Sequence, residues 1–192
     1  MKIKTVVIVF FVLVVAVQWY VPLKMIADSE NILAYGTEFK FKTAPVDPSD
    51  PFRGKYITLR FEANSFKQDS VSGFSRGENV FVILTTDKDG YAAIRNISKE
   101  RPEYVDDYLE VVLRGVFYQD GKMLLTINYP FDRFYMEESK AYPAEEIYRK
   151  YVSDPDSHTY AIVKVKEGQA VLEDVRINGQ SIRELVMEEI GE

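Results

Sequence analysis

Asp47, Asp50, Arg53 and Tyr56 fall within ten positions of one another in PVDPSDPFRGKY, residues 45–56. Two carboxylates so close together could begin a calcium site, but calcium takes six to eight oxygens and this stretch offers too few. As an acid–base pair they would need a cleft to hold a substrate between them. The guanidinium of Arg53 and the phenol ring of Tyr56 suit recognition better, as a charge-assisted hydrogen-bond donor and an aromatic anchor. The same residues also serve turn chemistry. Each proline fixes its own φ and extends the residue before it. Asp47 and Asp50 suit Asx-turns, and Gly54 supplies a positive φ before a strand begins.

Other reactive side chains are scattered. His158 is the only histidine and there is no cysteine, so a histidine or thiolate zinc centre cannot be assembled. RPEYVDDYLE gathers Asp106, Asp107 and Glu110, which read as a solvated approach to a hairpin. Glu137 and Glu138 beside Tyr135 read as ordinary acids entering a helix. Tyr129, Phe131, Phe134 and Tyr135 crowd into YPFDRFY, as core or as an exposed anchor for a partner. No phosphate loop or nucleophile elbow occurs, and no cofactor or metal is expected.

The leading segment, MKIKTVVIVFFVLVVAVQWYVPLK, must position everything after it. Val6 to Leu23 is broken only by Gln18 and as a helix spans about 27 Å, close to a bilayer's hydrocarbon core. Trp19 and Tyr20 suit an aromatic belt, and Pro22 is read as the exit. Lys2 and Lys4 precede the span, which places the N-terminus in the cytoplasm and the main domain outside the cytoplasmic membrane. A cleaved signal peptide has a shorter apolar core and small residues at its cleavage site. The stretch VPLKMIADSE lacks them, which favours residues 1–24 as a membrane anchor. The chain carries a net charge of −6, and without Lys2, Lys4 and Lys24 it holds 21 basic against 30 acidic residues, net −9. Such a domain repels phosphate backbones, so nucleic acid is not an expected partner.

Residues 25–192 read as a mainly β domain (α+β) rich in hairpins. ADSENILAYG suggests a short helix or turn closing at Gly36. Period-two alternation predicts strands at 37–42, 56–61, 79–87, 91–98, 108–118, 122–129, 160–166 and 169–177. KDG, QDG and EG are the expected hairpin turns. A helix is expected over 144–152 with Pro143 at its start, and SIRELVMEEI as a short helix or last strand. TEFKFK, turn, YITLRF recurs as YLEVVLRGVF, QDG, MLLTINYPF, and VFVILTTDKDGYAAIRNIS recurs as YAIVKVKEGQAVLEDVRING. This predicts two pseudo-repeated lobes, residues 33–100 and 105–180, with one short inserted helix.

GTEFKFKTAPVDPSDPFRGKYITLRFE resembles the signature of the GDYxxLxY family, whose motif reads here Gly54-Lys55-Tyr56-Ile57-Thr58-Leu59-Arg60-Phe61. VPLKMIADSENILAYG is similar to that family's lead-in, and DRFYMEESKAYPAEEIYRKY to a later segment. Lys55 stands where the motif has aspartate, and Phe61 where it ends in tyrosine. The resemblance implies an anchored, exported bacterial protein with no established biochemical activity, associated with polytopic membrane proteins. Asp47, Asp50, Arg53, Gly54, Lys55, Tyr56, Leu59 and Phe61 become the expected binding or motif residues of an accessory module.

Two alternatives follow. RGKYITLRF and RGENVFVIL resemble an element of signal-peptidase-like serine/lysine hydrolases, which would make Ser29 the nucleophile and Lys88 its base. Ser29 lacks their Ser-Met-x-Pro context. A small-ligand sensor binding between the two lobes is the other, and it requires a cleft there.

Overall fold

The apolar leader forms one unbroken helix, α1 (Lys2–Tyr35), in the computed structural model, which describes residues 2–45, 56–69, 73–119 and 121–191. It is long and apolar enough to cross a membrane, its most apolar 18-residue stretch having a mean hydropathy of 2.5. The helix runs through Pro22 and absorbs the segment read as a separate helix or turn. A proline inside a helix removes one backbone hydrogen bond, and here the helix continues on both sides of it.

Among the described residues, twelve strands and two further helices follow. They are β1 (Thr37–Ala44), β2 (Tyr56–Thr58), β3 (Arg60–Phe61), β4 (Ser65–Asp69), β5 (Asn79–Thr86), β6 (Ala92–Ser98), β7 (Tyr108–Gln119), β8 (Lys122–Asn128), β9 (Arg133–Tyr135), α2 (Glu138–Val152), β10 (Thr159–Lys166), β11 (Gln169–Ile177), β12 (Gln180–Ser181) and α3 (Ile182–Ile190). One sheet has the order β12-β11-β10-β1-β3, a second is the ribbon β2-β9, and a third has the order β4-β8-β7-β5-β6. The third curls until its edges, β4 and β6, approach each other, which makes a nearly closed barrel. Alternating inward residues of all three sheets, Phe41, Val80, Val82, Leu125, Val163 and Val175 among them, merge into one core.

The two sequence halves do not form separate lobes. The first sheet joins β1 and β3 to β10 and β11, and the barrel joins β7 and β8 to β5 and β6. Each sheet therefore takes one hairpin from each half, in matching order. The β5–β6 and β10–β11 hairpins also carry a bulge at similar places, opposite Ile83/Leu84 and Ile162/Val163.

Several boundaries differ from expectation. The run 56–61 is not one strand, because its two ends pair in different sheets. α2 begins at Glu138, before Pro143, its first turn closed by Lys140 and Ala141 N–H groups on the Glu137 carbonyl. The C-terminal segment is helix, capped by Ser181, whose side chain accepts from the Arg183 N–H. β4, β9 and β12 were not expected. For β12 a signal was present: Asn178 and Gly179 both have positive φ, the tight turn that an Asn-Gly pair favours.

Two close approaches join the parts. Gly36 ends α1 with its N–H on the Ile32 carbonyl at 2.7 Å, and Ile32 is buried. Lys166 reaches back from β10, donating to Asn31 Oδ1 at 2.7 Å and lying over the Tyr35 ring. At the other junction the Glu167–Gly168 turn docks on the start of β7. Gly168 accepts from the Glu110 N–H and donates to the Tyr108 carbonyl.

Candidate functional site

The stretch from Tyr56 to Asp69 crosses all three sheets. Tyr56–Thr58 pairs with β9, and the Leu59 N–H bonds the Asp132 carbonyl at 2.8 Å. Arg60 and Phe61 pair with β1, and the Glu62 N–H bonds the Lys42 carbonyl. The Asn64 carbonyl then accepts from Ile127, and β4 continues along β8. The side-chain alternation carries through each change of partner. Ile57, Leu59 and Phe61 go to the core, while Thr58 and Arg60 stay exposed.

Of the expected motif residues, Asp47, Asp50, Arg53, Gly54 and Lys55 lie outside the described residues. Leu59 and Phe61 are buried and Tyr56 is half-buried. The Phe61 ring packs on Phe41, Tyr129 and Phe131 at centroid distances of 5.4 to 5.7 Å. Burying such a ring stabilises the fold by about 2–3 kcal/mol. The Tyr129 hydroxyl donates to the Ala63 carbonyl, and burial pushes its ionisation well above the usual tyrosine range.

YPFDRFY divides between its two readings. Tyr129, Phe131 and Phe134 are core, whereas Tyr135 is 62% exposed. Tyr135 lies 5.4 Å from the Tyr56 ring, and the Arg133 guanidinium stands over that same ring at 5.0 Å. Tyr56, Arg133 and Tyr135 thus form an exposed aromatic and cationic edge on the β2–β9 ribbon. Arg183 covers Phe134 beside it at 4.7 Å.

A cleft of about 280 Å³ opens where the motif segment meets the barrel. Leu59, Phe61, Ile127 and Tyr129 give it an apolar floor, and Arg60, Asn64, Arg114, Asn128 and Asp132 give it a polar wall. It is formed by both sequence halves.

The remaining expectations are placed apart. Ser29 is exposed on α1 and lines a groove with Ile32, Glu110, Val112, Pro130 and Gly168. Lys88 lies in the β5–β6 turn, and that groove is lined by no lysine. His158 is exposed, its N–H bonded to the Asn178 side chain. Among the described residues no group of three or more histidines, cysteines or carboxylates is placed to hold a metal. One buried polar cluster went unforeseen. Thr43 Oγ1 donates to Thr159 Oγ1 at 2.7 Å, and Tyr148 of α2 faces the pair with its own hydroxyl buried and without a hydrogen bond.

A helix long and apolar enough to cross a bilayer continues through Gly36 into interlocked β-sheets. The chain belongs to the GDYXXLXY protein family, which it matches over residues 18–175. No curated protein and no solved structure matches it significantly.

Proposed function

We propose that this protein is a membrane-anchored, extracytoplasmic accessory module that docks on an integral membrane partner through its motif edge. The observation that carries the reading is the joint at Gly36. α1 enters β1 directly, and Ile32, Asn31 and Tyr35 fasten its end to β10 and β11. A domain held this way keeps one orientation to the bilayer, as a partner in the same membrane requires. From Asp28 to Tyr35 the helix rises only about 12 Å, so the sheets stand close to the lipid surface.

The Tyr56–Arg133–Tyr135 edge supplies the contact chemistry. Tyrosine and arginine are the residues that most often dominate interface energetics. Asp47, Asp50 and Arg53 precede Tyr56 in the sequence and belong to the same proposed contact.

Purification of the full-length protein from membranes in a mild detergent tests the reading. A polytopic membrane protein should come with it, and recovery should fall at least tenfold in the Arg133→Ala/Tyr135→Ala variant. Equal recovery from that variant removes the edge as the contact. No integral membrane protein in the eluate removes the accessory role. Orientation is tested separately: the chain has no cysteine, so a single Cys at Glu103 should react with an impermeant maleimide in spheroplasts.

A further inference from the structure

We infer that the cleft between the motif segment and the barrel binds a small ligand through an oxyanion group, carboxylate or phosphate, gripped by Arg60 and Arg114. This does not depend on the partner proposed above.

Arg114 is placed there by a defect in the ladder. Leu113 pairs with Ile127 and Gly115 with Thr126, so Arg114 is the extra residue of a β-bulge in β7. Bulges re-aim side chains and recur beside binding sites. The following Gly115 is buried, and a Cβ on it would lie 2.6 Å from the Phe117 ring, so the kink is closely packed. Arg60 arrives from the opposite wall, on the short strand between the motif's two buried residues, Leu59 and Phe61.

The charge distribution separates this cleft from the others. Among the described residues neither Arg60 nor Arg114 makes an ion pair, a side-chain hydrogen bond or a ring contact, in a domain rich in carboxylates. Asp132, the one acid in the lining, is drawn to Arg133 at 3.8 Å. In the other described clefts the cations are already engaged: Lys99 by Glu78 at 2.7 Å, Lys24 by Asp28 at 2.7 Å, Lys166 by Asn31. Among the described residues, none lining the groove at Ser29 is a cation. Two guanidiniums offer paired N–H donors that fit carboxylate or phosphate oxygens. The carboxamides of Asn64 and Asn128 add neutral donors at the same wall. The volume, at the small end for ligand sites (roughly 300–1,000 Å³), suits a small acid or phosphate ester rather than a polymer.

The test uses the full-length protein in a neutral detergent at constant low ionic strength. Calorimetric titrations are run with inorganic phosphate, with succinate, and with the protein in nanodiscs containing or lacking anionic phosphatidylglycerol. Saturable binding of phosphate or succinate is expected, weakened about tenfold by Arg60→Gln and again by Arg114→Gln. Arg95→Gln, at an exposed bulge elsewhere, should bind as the parent does. Both arginine variants should melt without ligand as the parent does, because their side chains are exposed and unpaired. Binding of phosphatidylglycerol alone, lost with the two arginines, assigns the oxyanion to a lipid headgroup. No saturable binding in any arm, or binding unchanged in the Arg60→Gln/Arg114→Gln variant, overturns the inference.

Discussion

The rings of Phe41 and Phe61 meet edge to face with their centroids 5.4 Å apart, joining the first strand after the leading helix to the last residue of the motif. Tyr129 and Phe131 close the cluster, each 5.1 Å from Phe41. Four aromatic side chains from three chain segments thus hold together where the sheets converge. The GDYxxLxY spacing acquires a physical meaning here. Its third and fifth positions after Tyr56, Leu59 and Phe61, drive inward between changes of strand partner.

Phe61→Ala should therefore destabilise the domain by about 3–5 kcal/mol, lowering its melting temperature by about 10 °C. Phe61→Leu, which keeps most of the volume, should cost less than half as much. Thermal melts of the full-length protein in detergent distinguish these outcomes. A loss under about 1 kcal/mol for alanine would show that the cluster does not hold the sheets together.

Gly168 makes a second prediction. Its φ of +90° disfavours any side chain, and a Cβ there would meet the Tyr108 ring at 2.9 Å. Gly90 shares the positive φ, at +85°, but has open space around it. Gly168→Ala should cost about 2–3 kcal/mol, combining strain with displacement of Tyr108, and Gly90→Ala about 1 kcal/mol from strain alone. Chemical denaturation of both variants measures the difference. Equal losses would mean that the junction between the β10–β11 turn and β7 yields without cost.

The joint between α1 and the sheets can be probed at Gly36. A Cβ there would lie 2.5 Å from the Ile32 carbonyl oxygen and 3.1 Å from that of Val165, both backbone atoms that cannot swing aside. Gly36→Ala should force the helix end away from β10 and expose residues 28–37. Limited proteolysis should then cut near Tyr35 at least tenfold faster than in the parent, with the β-domain otherwise intact. An unchanged cleavage rate would show that helix and sheets are not rigidly coupled.

Much of the fold was legible because the long strands carry period-two patterns that burial enforces. β1 buries Phe39, Phe41 and Thr43 in turn, and β10 alternates likewise over most of its length. The EG turn was read correctly, since Glu167 and Gly168 both take positive φ. What escaped was non-local. No local pattern announces that Thr58 pairs with Arg133 and Arg60 with Ala44, two residues apart on one strand-like run. The recurrence of hairpins was visible, but their exchange between sheets was not, because a hairpin's sequence does not specify its neighbour. β4 escaped because only half-buried Phe66 and Gln68 mark its inner face. The motif pointed to Tyr56 and Phe61, whose ring contacts the structure shows. Arg114 was not legible, since a bulge depends on the register of the partner strand.

Tyr148 provides a pH-dependent prediction. Its hydroxyl is buried near Thr43, which itself donates to Thr159, and lacks a well-formed hydrogen bond. Burial pushes its pKa from 10.0 up to about 12, against a smaller opposing pull from Thr43. The folded state therefore holds this proton more tightly than the unfolded chain. The associated stability is fully present below pH 10 and is lost as pH rises from there through about 12, amounting to about 2–3 kcal/mol. Tyr148→Phe removes both the unsatisfied hydroxyl and the titration. At pH 7 it should be neutral or slightly stabilising, since phenylalanine leaves no buried donor unpaired. Between pH 10 and 12 it should lose stability less steeply than the parent. Buried Tyr129, shifted in the same direction, keeps part of the alkaline loss in the variant. Denaturant melts at pH 7, 9, 10 and 11 check the sign. Parallel curves for parent and variant across that range would show that Tyr148 meets water or a proton acceptor in the folded protein.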